Sequence, residues 1–145
     1  MAKKLAELSV LVVDDAESVL QAVSKMLGRL GIVAVAVARD GAEALEVAAA
    51  REFDLIICDI NLPKVNGIEV VKELRRAENR TPIIAITGSD QMTTAVDAVA
   101  AGASLFLLKP FDTARLLDRI VTATGARVPP PPETDGAAAA PAKPA

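Results

Sequence analysis

The chain reads as an α/β domain, doubly wound, with five mostly parallel strands between two layers of helices. Three observations predict this. Five short apolar runs recur along the chain, helical spacing fills the gaps between them, and polar residues gather at the run ends. Right-handed crossovers then put helices on both faces of the sheet.

The runs cover residues 10–13, 32–38, 55–58, 83–86 and 105–108. They are continuous and rich in Val, Ile and Leu, which suits strands covered on both faces. Between the first two, Val19, Leu20, Val23, Met26, Leu27 and Leu30 repeat at three and four residues and line one helix face. Gly31 stands where that helix should stop. Ala44, Leu45 and Ala48 form a weaker second stripe, and Val71 and Leu74 a third. Asn66-Gly67 is a loop signal, with Gly67 assigned to backbone freedom at the helix start. Met92, Ala95, Val96 and Val99 form the fourth stripe, closed by Gly102. Leu116, Leu117, Ile120 and Val121 form the fifth, with Asp112 as its N-cap. The fourth and fifth stripes are read as core, and Cys58 as a small buried hydrophobe.

Composition bounds the rest. The 145 residues fit one domain, assigned to 1–126. Residues 127–145 are rich in Pro and Ala and read as a disordered tail or linker. A net charge of −3 gives no basic footprint for nucleic acid or an anionic membrane. No apolar run approaches the roughly 20 residues a bilayer span needs. Lys3, Lys4 and the first run outline a signal peptide, but Asp14 and Asp15 cut it short, so a cytoplasmic protein is the default reading. One cysteine and no histidine exclude an intrachain disulfide and the usual zinc ligand sets. Without histidine the chain takes part in phosphotransfer only as acceptor.

The polar residues at the run ends carry the chemistry. Asp14 and Asp15 follow the first run, Asp59 the third, Thr87 the fourth and Lys109 the fifth. In an open parallel sheet these ends share one edge, where ligands bind at the topological switch point. Three carboxylates there repel one another, and a hard divalent cation such as Mg2+, with oxygen ligands and retained waters, offsets that repulsion. Lys109 adds a compact positive charge and Thr87 a hydroxyl donor. An Asp nucleophile with these partners fits phosphoryl transfer to a carboxylate.

These residues carry a resemblance. Val-Val-Asp-Asp at 12–15, Asp-Gly-Ala-Glu-Ala-Leu at 40–45 and Cys-Asp-Ile-Asn-Leu-Pro-Lys-Val-Asn-Gly at 58–67 are the first matching stretches. Ile-Thr-Gly at 86–88 and Ala-Gly-Ala-Ser-Leu-Phe-Leu-Leu-Lys-Pro-Phe at 101–111 complete the set. The chain resembles the receiver domain of bacterial response regulators, close to the single-domain chemotaxis type, over residues 8–124. The resemblance implies a flavodoxin-like fold with strand order 2-1-3-4-5. It implies Asp59 as phosphoacceptor, with Asp15 as direct ligand of Mg2+, Asp14 as its partner and the Asn61 backbone carbonyl as a further ligand. It implies Thr87 and Lys109 as phosphoryl-binding groups, a Lys109–Pro110 bond that is often cis, and Phe106 as an aromatic rotamer switch. Phe106 replaces the tyrosine of many members, so no ring hydroxyl is available. The resemblance also implies that Asn61 and Ser89 hold positions that tune dephosphorylation. The implied partners are a histidine kinase or histidine phosphotransfer protein as donor, and a downstream protein on the face of helix 4, strand 5 and helix 5. The implied role is a signalling switch rather than an enzyme.

Three rivals stand beside it. A haloacid-dehalogenase-type phosphatase also uses Asp and Mg2+, but places its second Asp two residues after the first, where this chain has adjacent Asp14 and Asp15 and then Ala16. A flavin carrier needs a hydroxyl- and glycine-rich loop after strand one, and Asp14-Asp15-Ala16-Glu17 would repel phosphate. The third rival keeps the chemistry and makes the chain a receiver cut from a hybrid kinase or transcription factor.

Overall fold

Among the described residues, five strands and five α-helices alternate along the chain, as the apolar runs predict. The computed structural model describes residues 3–62, 65–88, 90 and 92–128. The strands are β1 (Ser9–Val13), β2 (Ala34–Ala38), β3 (Leu55–Asp59), β4 (Ile83–Gly88) and β5 (Leu105–Lys109). The helices are α1 (Glu17–Arg29), α2 (Gly41–Ala50), α3 (Gly67–Arg76), α4 (Met92–Ala101) and α5 (Thr113–Thr124). All strand pairs are parallel, in the order β2-β1-β3-β4-β5. The chain therefore reverses direction across the sheet between β2 and β3, and the crevice beyond the ends of β1 and β3 is the switch point.

Strand periodicity divides the core in two. Leu11, Val13, Ile56, Cys58 and Ala85 share one cluster with Ala44, Val71, Leu74 and Ala98 of α2, α3 and α4. Val10, Val12, Ile57, Ile84 and Ile86 share the other with Leu20, Leu27, Leu116 and Ile120 of α1 and α5. Each fully buried Leu or Ile contributes about 1.5–3 kcal/mol. This double burial holds β1, β3 and β4 rigid and fixes where their ends stand.

Asp112 caps α5, accepting the Arg115 N–H at 2.8 Å, as its position predicts. Gly31 and Gly102 follow α1 and α4 with φ of +88° and +127°, the left-handed turn that lets a helix end there. The ends of the described chain meet, because the Arg127 N–H donates to Lys3 C=O and the Leu5 N–H to Arg127 C=O. The rest of the predicted tail, residues 129–145, lies outside the described residues. Among the described residues no helix is long and apolar enough to cross a membrane.

Two expectations are corrected. The second run was expected to be a covered strand over 32–38, but β2 begins at Ala34 and lies at the sheet edge, half-exposed along most of its length. A strand with one neighbour has no second strand to shield it. The fourth stripe was expected to be core. Only Ala95 of that stripe is buried, with Ala98 beside it, while Met92, Val96 and Val99 are 47%, 56% and 41% exposed. The alanines let α4 approach the sheet closely and turn its larger side chains outward.

Candidate functional site

The site lies where the strands end. Asp14 follows β1 directly, with its N–H donating to Ala38 C=O at 3.1 Å. Asp59 is the last residue of β3, one register step from Val13↔Cys58. Thr87 pairs with Leu108, and Gly88 with Lys109. Sheet register thus brings Asp14, Asp59, Thr87 and Lys109 to one edge. Asp14, Asp59 and Thr87 are buried there, while Asp15 is exposed.

Carboxylate oxygens of Asp14, Asp15 and Asp59 lie within 4.8 Å of one another. Backbone donors orient two of them. The Ala16 N–H donates to Asp14 Oδ1, and the Asn61 N–H to Asp59 Oδ1, both at 2.9 Å. The Lys109 ammonium lies 3.1 Å from Asp59 Oδ2 and 3.9 Å from Asp14 Oδ2. Two carboxylates therefore share one cation, with that of Asp15 close by. Burial, more than the neighbouring Asp59 charge, pushes the Asp14 carboxyl up to about 6, against the Ala16 N–H and Lys109, which favour its ionised form. A cluster of hard oxygen donors carrying more negative charge than its lysine balances is suited to a divalent cation such as Mg2+.

Two glycines shape the loop after β3. A Cβ on Gly67 would stand 2.5 Å from Ile60 Cα and 2.6 Å from the Asp59 carbonyl oxygen. Gly67 was assigned to backbone freedom, but close approach is the reason for it, since α3 starts against the backbone that carries Asp59. Gly41 of the Asp-Gly pair does the same against Val65, where a Cβ would meet the carbonyl oxygen at 2.7 Å. Asn66 caps α3 by accepting the Ile68 N–H at 2.8 Å.

Phe106 is half-buried on β5 and paired with Ala85. It stands on the same sheet face as Thr87, one pleat back. The Lys109–Pro110 bond is cis. Ser89 lies outside the described residues. Cys58 is fully buried, and desolvation raises its thiol pKa well above the ordinary range, so it stays a thiol.

The reading of the residues missed the backbone donors that orient the carboxylates. Their signal was present: Asp14 and Asp59 each receive the N–H two residues on, the Asx-turn habit of aspartate after a strand. It also missed the exposed pair at the rim, where Arg39 Nε lies 3.0 Å from Glu17.

Comparison with known proteins agrees with this geometry. The profile of the response regulator receiver domain matches residues 10–121. The chain is 34% identical over 111 residues to the chemotaxis protein CheY of Bacillus subtilis, covering 77% of this chain and 92% of that one. It spans about half the length of the transcriptional regulatory relatives it matches. The structure of chemotaxis response regulator CheY4 of Vibrio cholerae superposes with a TM-score of 0.73 at 36% identity, covering 85% of this chain and 99% of that one. The receiver domain of sensor histidine kinase PA1611 from Pseudomonas aeruginosa, solved with a magnesium ion coordinated in its active site cleft, gives 0.75 at 30% identity and covers 82% and 98%. With its strand order, acidic edge and matched length, this chain belongs to the response regulator receiver domains, the signalling switches of two-component systems.

Proposed function

We propose that Asp59 accepts a phosphoryl group from the phosphohistidine of a histidine kinase or a histidine phosphotransfer protein. One observation carries this: a buried aspartate ends the central strand with an ammonium 3.1 Å from one oxygen and two further carboxylates beside it. An Asp59 oxygen forms the new O–P bond while the P–N bond of the donor breaks, and the electron pair returns to the donor imidazole. Lys109 moves its charge from the carboxylate to a phosphoryl oxygen. The Thr87 hydroxyl donates to another. Asp14, Asp15, Asp59 and the Asn61 backbone carbonyl would hold Mg2+, which supplies charge neutralisation to carboxylates and phosphoryl oxygens when bound. The magnesium in the related PA1611 receiver supports that choice of ion.

Output follows by population shift. Phosphorylation favours a state in which Thr87 moves toward the phosphoryl group and Phe106 turns inward, and a downstream protein binds the face of α4, β5 and α5. The exposed Met92, Val96 and Val99 on α4 support that surface. A cytoplasmic location and a Pro/Ala tail outside the switch belong to the same reading.

Intact-protein mass after incubation with acetyl phosphate tests it, with and without Mg2+. The expected result is one phosphoryl adduct that needs Mg2+ and is absent from Asp59→Asn. An adduct that persists in Asp59→Asn, or none with either acetyl phosphate or a phosphohistidine donor, would reject it.

A further inference from the structure

The outer edge of β2 is used by nothing described above. The Asp14 N–H bonds Ala38 C=O, so alternate residues Ala34, Ala36 and Ala38 face β1. Val35 and Val37 therefore point their backbone groups away from the sheet. The Val35 N–H turns back to Val33 C=O at 3.1 Å, and the Arg39 N–H, also outward, is taken by Glu43 at 2.7 Å. Between them, among the described residues, the Val37 N–H and C=O have no partner.

Edge strands are ordinarily guarded by a lysine, a proline or a bulge. Residues 32–38 read Ile-Val-Ala-Val-Ala-Val-Ala, with no charge and no proline, and Val33 is 82% exposed. Unpaired strand groups select another strand as their partner. The helix beside the edge indicates which strand. Glu17, Gln21 and Lys25 lie four residues apart on α1 and line the groove against Val37. The row is acidic at one end, neutral in the middle and basic at the other. Turned about a two-fold axis near Gln21, it meets its own complement, with Glu17 still shared with Arg39.

We propose that two copies of this chain pair antiparallel through their β2 edges, joining two five-stranded sheets into one. The acceptor sites then lie at opposite ends of the joined sheet, and the α4 faces stay open. The inference does not depend on Asp59 chemistry.

Sedimentation of the full chain from about 1 µM to 1 mM tests it. The mass should rise toward two chains with concentration, and the Val37 amide should become protected from hydrogen exchange in parallel. Val37→Pro removes the outward donor and Val33→Lys places a charge on the edge, so each should weaken association about tenfold or more. Lys25→Glu should weaken it about two- to fivefold. Val33 is a surface residue, so Val33→Lys decides the matter if Val37→Pro fails to fold. A single-chain mass throughout would overturn the proposal and leave the edge to a foreign strand. So would a dimer of unchanged strength in Val33→Lys.

Discussion

The two ends of this sheet treat charge in opposite ways. At the amino ends of the strands, the partly buried charged groups Asp54 and Arg75 find their partners within the chain. Asp54 accepts the Ser9 N–H at 2.9 Å and an ion pair from Lys3 at 3.1 Å. Arg75 donates to three carbonyls, of Gly102 at 3.0 Å, Asn79 at 2.7 Å and Thr81 at 2.9 Å. At the carboxy ends, Asp14 and Asp59 share Lys109, and Asp15 adds a third carboxylate beside them. The first end is finished by the chain itself. The second has an excess of negative charge, and a ligand that brings positive charge or takes up the lysine completes it.

The largest expected effect breaks the comparison at the unfinished end. Asp59→Asn should abolish the phosphoryl adduct in the mass measurement. It should also raise the metal-free melting temperature at pH 7.5, because one of three repelling charges is gone. A lower melting temperature would mean that Asp59 is structural, like Asp54.

Arg75→Ala breaks the finished end. Three partly buried carbonyls lose their donor, and the cost should be about 3 kcal/mol by denaturant unfolding. The phosphoryl adduct on the folded fraction should form at the wild-type rate. A slowed reaction would show that the ends are coupled and the contrast is not local.

The pH dependence sharpens the contrast. Asp14 titrates at about 6 in the folded chain against 3.8 unfolded, so folding favours its protonated form. Its contribution to stability is full below about pH 3.8 and is lost as pH rises through about 6. A displacement of that size is worth at most about 3 kcal/mol. Without metal, Asp14→Asn should therefore be more stable than wild type at pH 7.5 by up to that amount, with the gap closing toward pH 4.5. Mg2+ should shrink the gap at pH 7.5 by stabilising only the wild type. Parallel stability curves for the two proteins in the absence of metal would contradict this electrostatic account.

Much of this organisation was legible in the residues, for physical reasons. β1, β3 and β4 are buried on both faces, so their runs are unbroken, and the polar residue that ends each run stands out. The edge was less legible, because an uncovered strand such as β2 can be as apolar as a covered one. On α4, Ala95 with Ala98 and Met92 with Val96 and Val99 form two adjacent stripes, and periodicity alone does not choose between them. Side-chain size does, since only alanines allow that approach. Gly67 was visible as a glycine, but its reason depends on Ile60 backbone brought near by the fold. Arg75 was silent for the same cause, because its acceptors belong to the α3–β4 and α4–β5 connections and follow no period.

The smallest expected effect concerns Glu78, a strained residue at the finished end. α3 stops by placing Glu78 at φ 62°, in the left-handed region, while the Asn79 N–H bonds back to Leu74 C=O at 2.9 Å. That position favours glycine, since a Cβ there crowds the backbone. Glu78→Gly removes the crowding but also frees the unfolded chain, so the two effects partly cancel. The net gain should be about 0.5–1 kcal/mol in denaturant unfolding, with Glu78→Ala close to zero because it keeps the Cβ. Neither should change phosphorylation, since the strain belongs to a helix stop and not to the acceptor. A gain from Glu78→Ala equal to that from Glu78→Gly would assign the effect to charge rather than backbone, and the amino end would then carry an electrostatic cost of its own.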